Sequence, residues 1–356
     1  MPSYHSHYKY SNGFHSAIVN FIFTLSIRSP MPFRTFIFCL LIILSVTSCK
    51  KSGNQPEGKK PIDLYIAADF NTIAYGAAGY LKNGDQVIVG GPSSRATDIV
   101  VKGNDVYLAG SSNSRATVWK NGDIFYMDAF ASTVISAIAI KDNDVYFAGT
   151  YGDRATIWKN GSPALLRTGN STATAIFVQG NDLYVAGTVD LSNGRRVACY
   201  WKNGNEFLLV SDSYNTVVNG LFVVGNDVYV TGLNSGYWPV YWKNEKIFNL
   251  QEDVPANYTR EYTMGGIAVS GADVYVVGSV VYKGNDPWKD TYIPRTVQYW
   301  KNGSLIKTNG LIGSAIDLTF YNGFPYILQD RSYVIDGRQI PISENVSAKA
   351  FFIAGN

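Results

Sequence analysis

Asn104-Asp105-Val106-Tyr107-Leu108-Ala109-Gly110 and, further on, Trp119-Lys120-Asn121-Gly122 are two phrases that this sequence repeats. The first returns at residues 143–149, 181–187 and 226–232, and as Ala272 to Gly278; the second returns at 158–161, 201–204, 242–245 and 300–303. The aspartates fall at 105, 144, 182, 227 and 273, spacings of 39, 38, 45 and 46 residues. Repeats of about 40–50 residues are the period of propeller blades.

Each unit reads as four strands. In residues 172–211, Ala175 to Val178 is an apolar run and Gly180-Asn181 a turn; Leu183 to Ala186 is a second strand, and Val197 to Trp201 a third. Asn203-Gly204 suits a two-residue hairpin turn with positive φ, and Glu206 to Val210 closes the sheet. Such a unit cannot bury both its faces alone, so the units are expected to stack radially. Two degenerate units complete seven: Asp63-Leu64-Tyr65 with Leu81-Lys82-Asn83-Gly84, and Asn322-Gly323-Phe324-Pro325-Tyr326 with Val334-Ile335-Asp336-Gly337. The segment Lys349 to Asn356 resembles Thr174 to Asn181, so it should supply the innermost strand of the blade that begins at Asp63. The expectation is an all-β, seven-bladed β-propeller of four-stranded antiparallel blades, closed by its C-terminal strand. A linear solenoid would leave these complementary half-units unexplained. The recurring tryptophans are expected to pack between blades.

The amino terminus reads as a targeting segment. Arg34 precedes an apolar block, Thr35 to Val46, shorter than the roughly 20 residues of a membrane span. Val46-Thr47-Ser48-Cys49 resembles the lipobox of bacterial lipoproteins, with Cys49 as the lipidated residue. Residues 1–30 read as an upstream extension, 31–48 as the signal peptide, 49–60 as a polar tether and 61–356 as the propeller. A second apolar run, Ala17 to Ile27, leaves an uncleaved anchor as an alternative, although Arg28, Pro30, Pro32 and Arg34 interrupt it. The chain carries a net charge of +3. However, Lys9, Arg28 and Arg34 precede Cys49 and no acidic residue does, so cleavage would leave 27 basic residues against 27 acidic. Nothing in that balance points to nucleic acid. All three histidines lie upstream of Cys49, and of the three cysteines only Cys199 lies within the propeller. Ser-His or Cys-His catalysis, a histidine metal site and an intrachain disulfide are therefore not expected, and neither is a cofactor.

From about Pro61 to Asn356 the chain resembles bacterial envelope lipoproteins with Asp-Val-Tyr and Trp-Lys-Asn-Gly propeller repeats. The resemblance implies a propeller attached to the membrane by lipid, placed at the outer membrane on its periplasmic or outer side. It transfers no catalytic residue. The Gly-His…Trp-Asp pair of WD40 units and the Asp box of sialidases do not occur.

Three groups of residues are candidates for function. Counting seven back from each repeat aspartate gives Ala137, Ala175, Gly220 and Gly266, with Ala350 in the closing strand; the exceptions are Asp98 and Asp317. Together with Lys349, these two are expected to meet in or near the channel, either as a site or as a solvated ion pair. The loops opposite the short turns hold Tyr237 and Trp238; Glu252, Asp253, Tyr258, Arg260 and Tyr262; and Asp286, Trp288, Asp290 and Tyr292. Rings beside carboxylates and amides suit sugar recognition, or else pin the loops to the scaffold. Arg115, Arg154, Arg196 and Arg295 precede the third strands; each is expected to donate to its neighbouring blade, the alternative being a positive ring for an anionic ligand. The leading reading is a non-catalytic binding module for glycan or an envelope protein. The alternatives are a glycan hydrolase or lyase, using Asp286 with Glu252 or Asp253 or a tyrosine base, and a structural subunit of an envelope complex.

Overall fold

The computed structural model describes residues 62–71, 76–209, 215–284, 292–306, 308 and 310–355, within a compact unit Lys60–Asn356. Cys49 and the segments read as signal peptide and tether lie outside the described residues. Among the described residues, twenty-eight strands form seven four-stranded antiparallel sheets, the blades of a β-propeller. The first blade has the order β28 (Val346–Gly355), β1 (Ile62–Asn71), β2 (Gly76–Lys82) and β3 (Asp85–Pro92). The second runs outward from β4 (Ser94–Lys102) to β7 (Asp123–Met127). The innermost strands of the other five are β8 (Thr133–Lys141), β12 (Ser171–Gln179), β16 (Val217–Val224), β20 (Tyr258–Ser270) and β24 (Ala315–Tyr321). Each innermost strand neighbours the next around the ring, from β28 and β4 through to β24 and back to β28. The closing strand pairs as its sequence predicts, Phe352 opposite Tyr65 and Phe351 opposite Ile66.

Seven apolar clusters fill the seven gaps between blades. Trp119 packs against Tyr65, Ala67 and Ala78 of the preceding blade, and Trp158 against Tyr107 and Ala109. Trp201 meets Ala148 and Ala155, Trp242 meets Tyr184 and Ala186, and Trp300 meets Tyr229 and Tyr241. All five are at most 3% exposed. Leu81 and Val334 occupy the equivalent place in the two degenerate blades.

The repeated polar letters have a structural cause. In six blades the motif aspartate (Asp63, Asp105, Asp144, Asp182, Asp227, Asp273) accepts a hydrogen bond from the asparagine of the later turn. It also pairs with the adjacent lysine at 2.6–3.2 Å. The asparagine side-chain oxygen in turn accepts from the backbone N–H after the aspartate, as Asn121 does from Val106 at 2.8 Å. The lysine ammonium lies over the motif tyrosine, 5.3 Å from the ring centroid for Lys120 and Tyr107. These asparagines hold the left-handed conformation that the turns require, φ +50 at Asn203 followed by +84 at Gly204.

The motif glycine is fixed by a bulge. Each innermost strand shifts register once: between Ala96 and Asp98, Ile135 and Ala137, Ala173 and Ala175, Val218 and Gly220, Met264 and Ile267, Ala315 and Asp317, and across Lys349 in β28. The glycine lies opposite the strand at this point. A Cβ on Gly187 would sit 1.8 Å from the Thr172 carbonyl oxygen, and one on Gly110 would sit 1.9 Å from that of Arg95. A side chain there would collide with the facing carbonyl, which is why the glycine recurs in the five regular blades; the two degenerate blades carry Ala68 and Gln329 at that register.

Candidate functional site

Two places gather the chemistry, one on each face of the ring. On the face of the longer loops, Asn234 caps a single 3-10 turn, Ser235–Tyr237, by accepting from the Ser235 N–H at 2.9 Å. The turn leaves Tyr237 at φ +61, and Tyr237 and Trp238 are 64% and 48% exposed. The sixth blade reaches over them because its first strand, β20, is 13 residues long where the equivalent strands have seven to ten. That overhang carries Arg260, whose guanidinium stacks 3.7 Å from the Trp238 ring centroid. Arg260 Nε donates to Glu252 Oε1 at 2.8 Å. Beside this stack lies a cleft of about 490 Å³ lined by Asn234, Trp238, Pro239, Asn249, Leu250 and Glu252.

The other loop residues divide. Tyr237 borders a separate depression of about 390 Å³ with Thr172, Thr188 and Arg196. Asp253 is exposed, and its backbone carbonyl accepts from the Tyr282 hydroxyl at 3.0 Å, which ties the loop down. Tyr258 is half-buried against the apolar cluster of the sixth blade. Tyr262 is 3% exposed in that cluster, its ring centroid 6.4 Å from that of Trp300. Burial pushes its hydroxyl well above the usual range, and Tyr262 belongs to the core, not to the lining of the Trp238 cleft. Asp286, Trp288 and Asp290 and the Tyr292 side chain lie outside the described residues. The carboxylate pair needed for hydrolysis therefore has one described half, and Glu252 in that half is committed to Arg260. Asn249 and Leu250 carried no sequence signal, because only the packing of the fifth blade against the sixth brings them to the cleft.

Among the described residues, three of the recurrent arginines find their partners within their own blades, where donation to the neighbouring blade was expected. Arg196 pairs with Asp190 at 2.7 and 3.1 Å, Arg295 donates to Thr263 at 3.0 Å, and Arg154 lies 3.6 Å from Asp153.

In the channel, the bulges set the column of small residues on the ring axis. Asp98 spans two blades, accepting from its own neighbour Ile99 N–H and from Ile138 N–H of the next blade, both at 2.8 Å. Asp317 accepts from Leu318 N–H at 2.8 Å and fills the space where Gly266 lacks a Cβ; a Cβ there would sit 2.2 Å from Asp317 Oδ1. Both aspartates line one cavity. Lys349 does not join them. It is the bulged residue of β28, and its ammonium pairs with Asp69 at 3.3 Å and donates to Ser347 at 3.1 Å. Burial pushes each channel carboxyl up to about 7, against the N–H donors that lower it; the charge of Asp98 raises Asp317 further.

These shifts give an expected pH profile of opposed limbs. The clamp carboxyls are held below their ordinary value of 3.8, mainly by the lysine and, for Asp63, by Asn83. Their contribution is present above about pH 4 and is lost as pH falls further. The channel pair runs the other way: folded values near 7 against 3.8 mean that the folded state holds more protons, so stability falls as pH rises between those values. The melting temperature is expected to peak at about pH 4–5 and to decline toward pH 8. Asp317→Asn, which keeps an acceptor for Leu318, should flatten the upper limb. A wild-type curve flat from pH 5 to 8 in thermal-melt titrations would contradict this.

No protein-family model matches the sequence, and no curated protein matches it. Among solved structures, the chain is similar to a Mycobacterium tuberculosis puromycin-hydrolyzing peptidase, with TM-score 0.52 and 9% identity over 79% of this chain and 54% of the peptidase. It is also similar to extracellular domains 1-2 of Drosophila Semaphorin 1a, with TM-score 0.44 and 11% identity over 81% of this chain and 87% of that one. The chain spans about half the length of the peptidase, at 54%, and at such identity the likeness is one of fold.

Proposed function

We propose that this chain is a lipid-anchored, non-catalytic binding module of the bacterial cell envelope, and that it recognises glycan at the Trp238 cleft. The observation that carries the reading is Trp238 itself, 48% exposed at the edge of the cleft. An exposed indole is retained at a cost in solvation, and here it is held in one orientation by the Arg260–Glu252 pair. Asn234, Asn249 and Glu252 surround it with amide and carboxylate groups. A rigid flat ring with directional hydrogen-bonding groups at its rim is what the face and hydroxyls of a sugar require. The anchor rests on Cys49 in Val46-Thr47-Ser48-Cys49 behind the apolar block. The outer membrane is its proposed site, with Lys50 after the lipidated residue compatible with transfer there.

A glycan array probed with the detergent-solubilised full chain tests the binding, and fractionation tests the anchor. Trp238→Ala is expected to weaken binding of any recognised glycan by tenfold or more while changing the melting temperature little, because the ring contributes to no core cluster. Cys49→Ala should move the protein from the membrane to the soluble fraction. Unchanged glycan binding in Trp238→Ala would remove the site, and turnover of the bound glycan would replace binding by catalysis.

A further inference from the structure

On the face of the short turns, opposite the Trp238 cleft, the channel widens into a cavity of about 410 Å³ to which all seven innermost strands contribute. Its walls mix polar surface, Thr319 and Tyr321 included, with the side chains Ile138, Ile176, Leu221 and Ile267 and the phenylalanines Phe177, Phe222, Phe320 and Phe352. Its floor is acidic. Asp317 uses Oδ1 for Leu318, and Oδ2 receives no hydrogen bond from any described residue. No lysine or arginine lines the cavity, because Lys349, the nearest channel cation, is taken by Asp69.

We propose that this cavity binds a small organic cation, a primary ammonium group on an alkyl or aryl body, with the ammonium at Asp317 and Asp98 and the body against the isoleucine and phenylalanine walls. The chemistry selects this class over its rivals. An anion would face two carboxylates and no cation. A divalent metal prefers six or more oxygen ligands, and among the described residues no cluster of three metal-ligating side chains exists. A neutral apolar molecule would leave both carboxylates desolvated and Asp317 Oδ2 without a partner among the described residues, at a cost that a bound ammonium removes. Aromatic walls add attraction for the positive charge and contact for the body. The volume falls in the ordinary range for small-ligand sites, roughly 300–1,000 Å³.

Isothermal titration of the solubilised full chain at pH 8 with 2-phenylethylammonium, 2-phenylethanol and calcium chloride tests the inference. The amine is expected to bind saturably at one site, with the alcohol at least tenfold weaker and calcium not competing. Asp317→Asn should weaken the amine tenfold or more and leave the alcohol unchanged, while Trp238→Ala should leave both unchanged. Equal affinity for amine and alcohol, no saturable binding, displacement of the amine by calcium, or unaltered amine binding in Asp317→Asn would each overturn the proposal. The comparison of amine with alcohol needs no variant and stands even if Asp317→Asn fails to fold.

Discussion

Removal of residues 346–356 is expected to leave no cooperatively folded propeller. The segment is the innermost strand of the first blade, paired with β1 at nine positions from Ile62 to Phe70. Val346, Ala348 and Ala350 are buried in two different interblade clusters, so its loss opens both gaps beside the first blade. It also exposes the edge of β1 from Tyr65 to Phe70, whose residues are now at most 6% exposed, as a template for wrong pairing. A domain stabilised by about 5–15 kcal/mol does not survive the loss of a central strand and two interfaces. Near-ultraviolet circular dichroism should lose its signal, and the protein should aggregate or become protease-sensitive throughout. A truncated chain that melts sharply within a few degrees of the full chain would mean that closure contributes little.

Trp201→Ala has the next largest expected effect. The ring is fully buried between the third and fourth blades, against Ala148, Ala155, Val197 and Cys199. Its small neighbours cannot move in to fill the space, because Ala155 and Ala148 sit in paired strands. Large-to-small changes of this kind cost about 3–5 kcal/mol. The indole Nε1 has no hydrogen-bond partner, so no hydrogen bond is lost. Trp201→Phe should accordingly cost less than half as much. Urea unfolding measures both, with Trp238→Ala as the exposed control at under about 0.5 kcal/mol. A loss below 1 kcal/mol for Trp201→Ala would show that the interface between blades is loose.

Much of this architecture could be read in the letters because each blade solves the same problem. Asp-x-Tyr and Lys-Asn-Gly recur because they form one clamp, and Trp recurs because each gap needs a large ring. The closing strand was legible for a related reason: Lys349 to Asn356 lacks the rest of its own blade, and the segment from Asp63 lacks a first strand. The loop site was less legible. Trp238 and Tyr262 look alike as exposed-loop aromatics, yet the lengthened β20 draws Tyr262 into the core and brings Arg260 onto Trp238. Period alone does not reveal that extra strand length. Lys349 shows the same limit in the channel. Counting positions placed it one residue from the aspartate column, but a bulge there turns its side chain to Asp69, and bulges leave no mark on spacing when every blade has one.

The most direct test of the closed ring is a crosslink between its two ends. Leu64 directs its backbone N–H and C=O to Asn83, so Leu64 and Ile353 form a non-hydrogen-bonded pair, the type in which facing side chains come closest. With Cys199→Ser as background, Leu64→Cys and Ile353→Cys together should oxidise to a single intramolecular bridge and raise the melting temperature. If the two cysteines stay free, or link only between molecules, the tail does not complete the first blade and the ring is not closed as described.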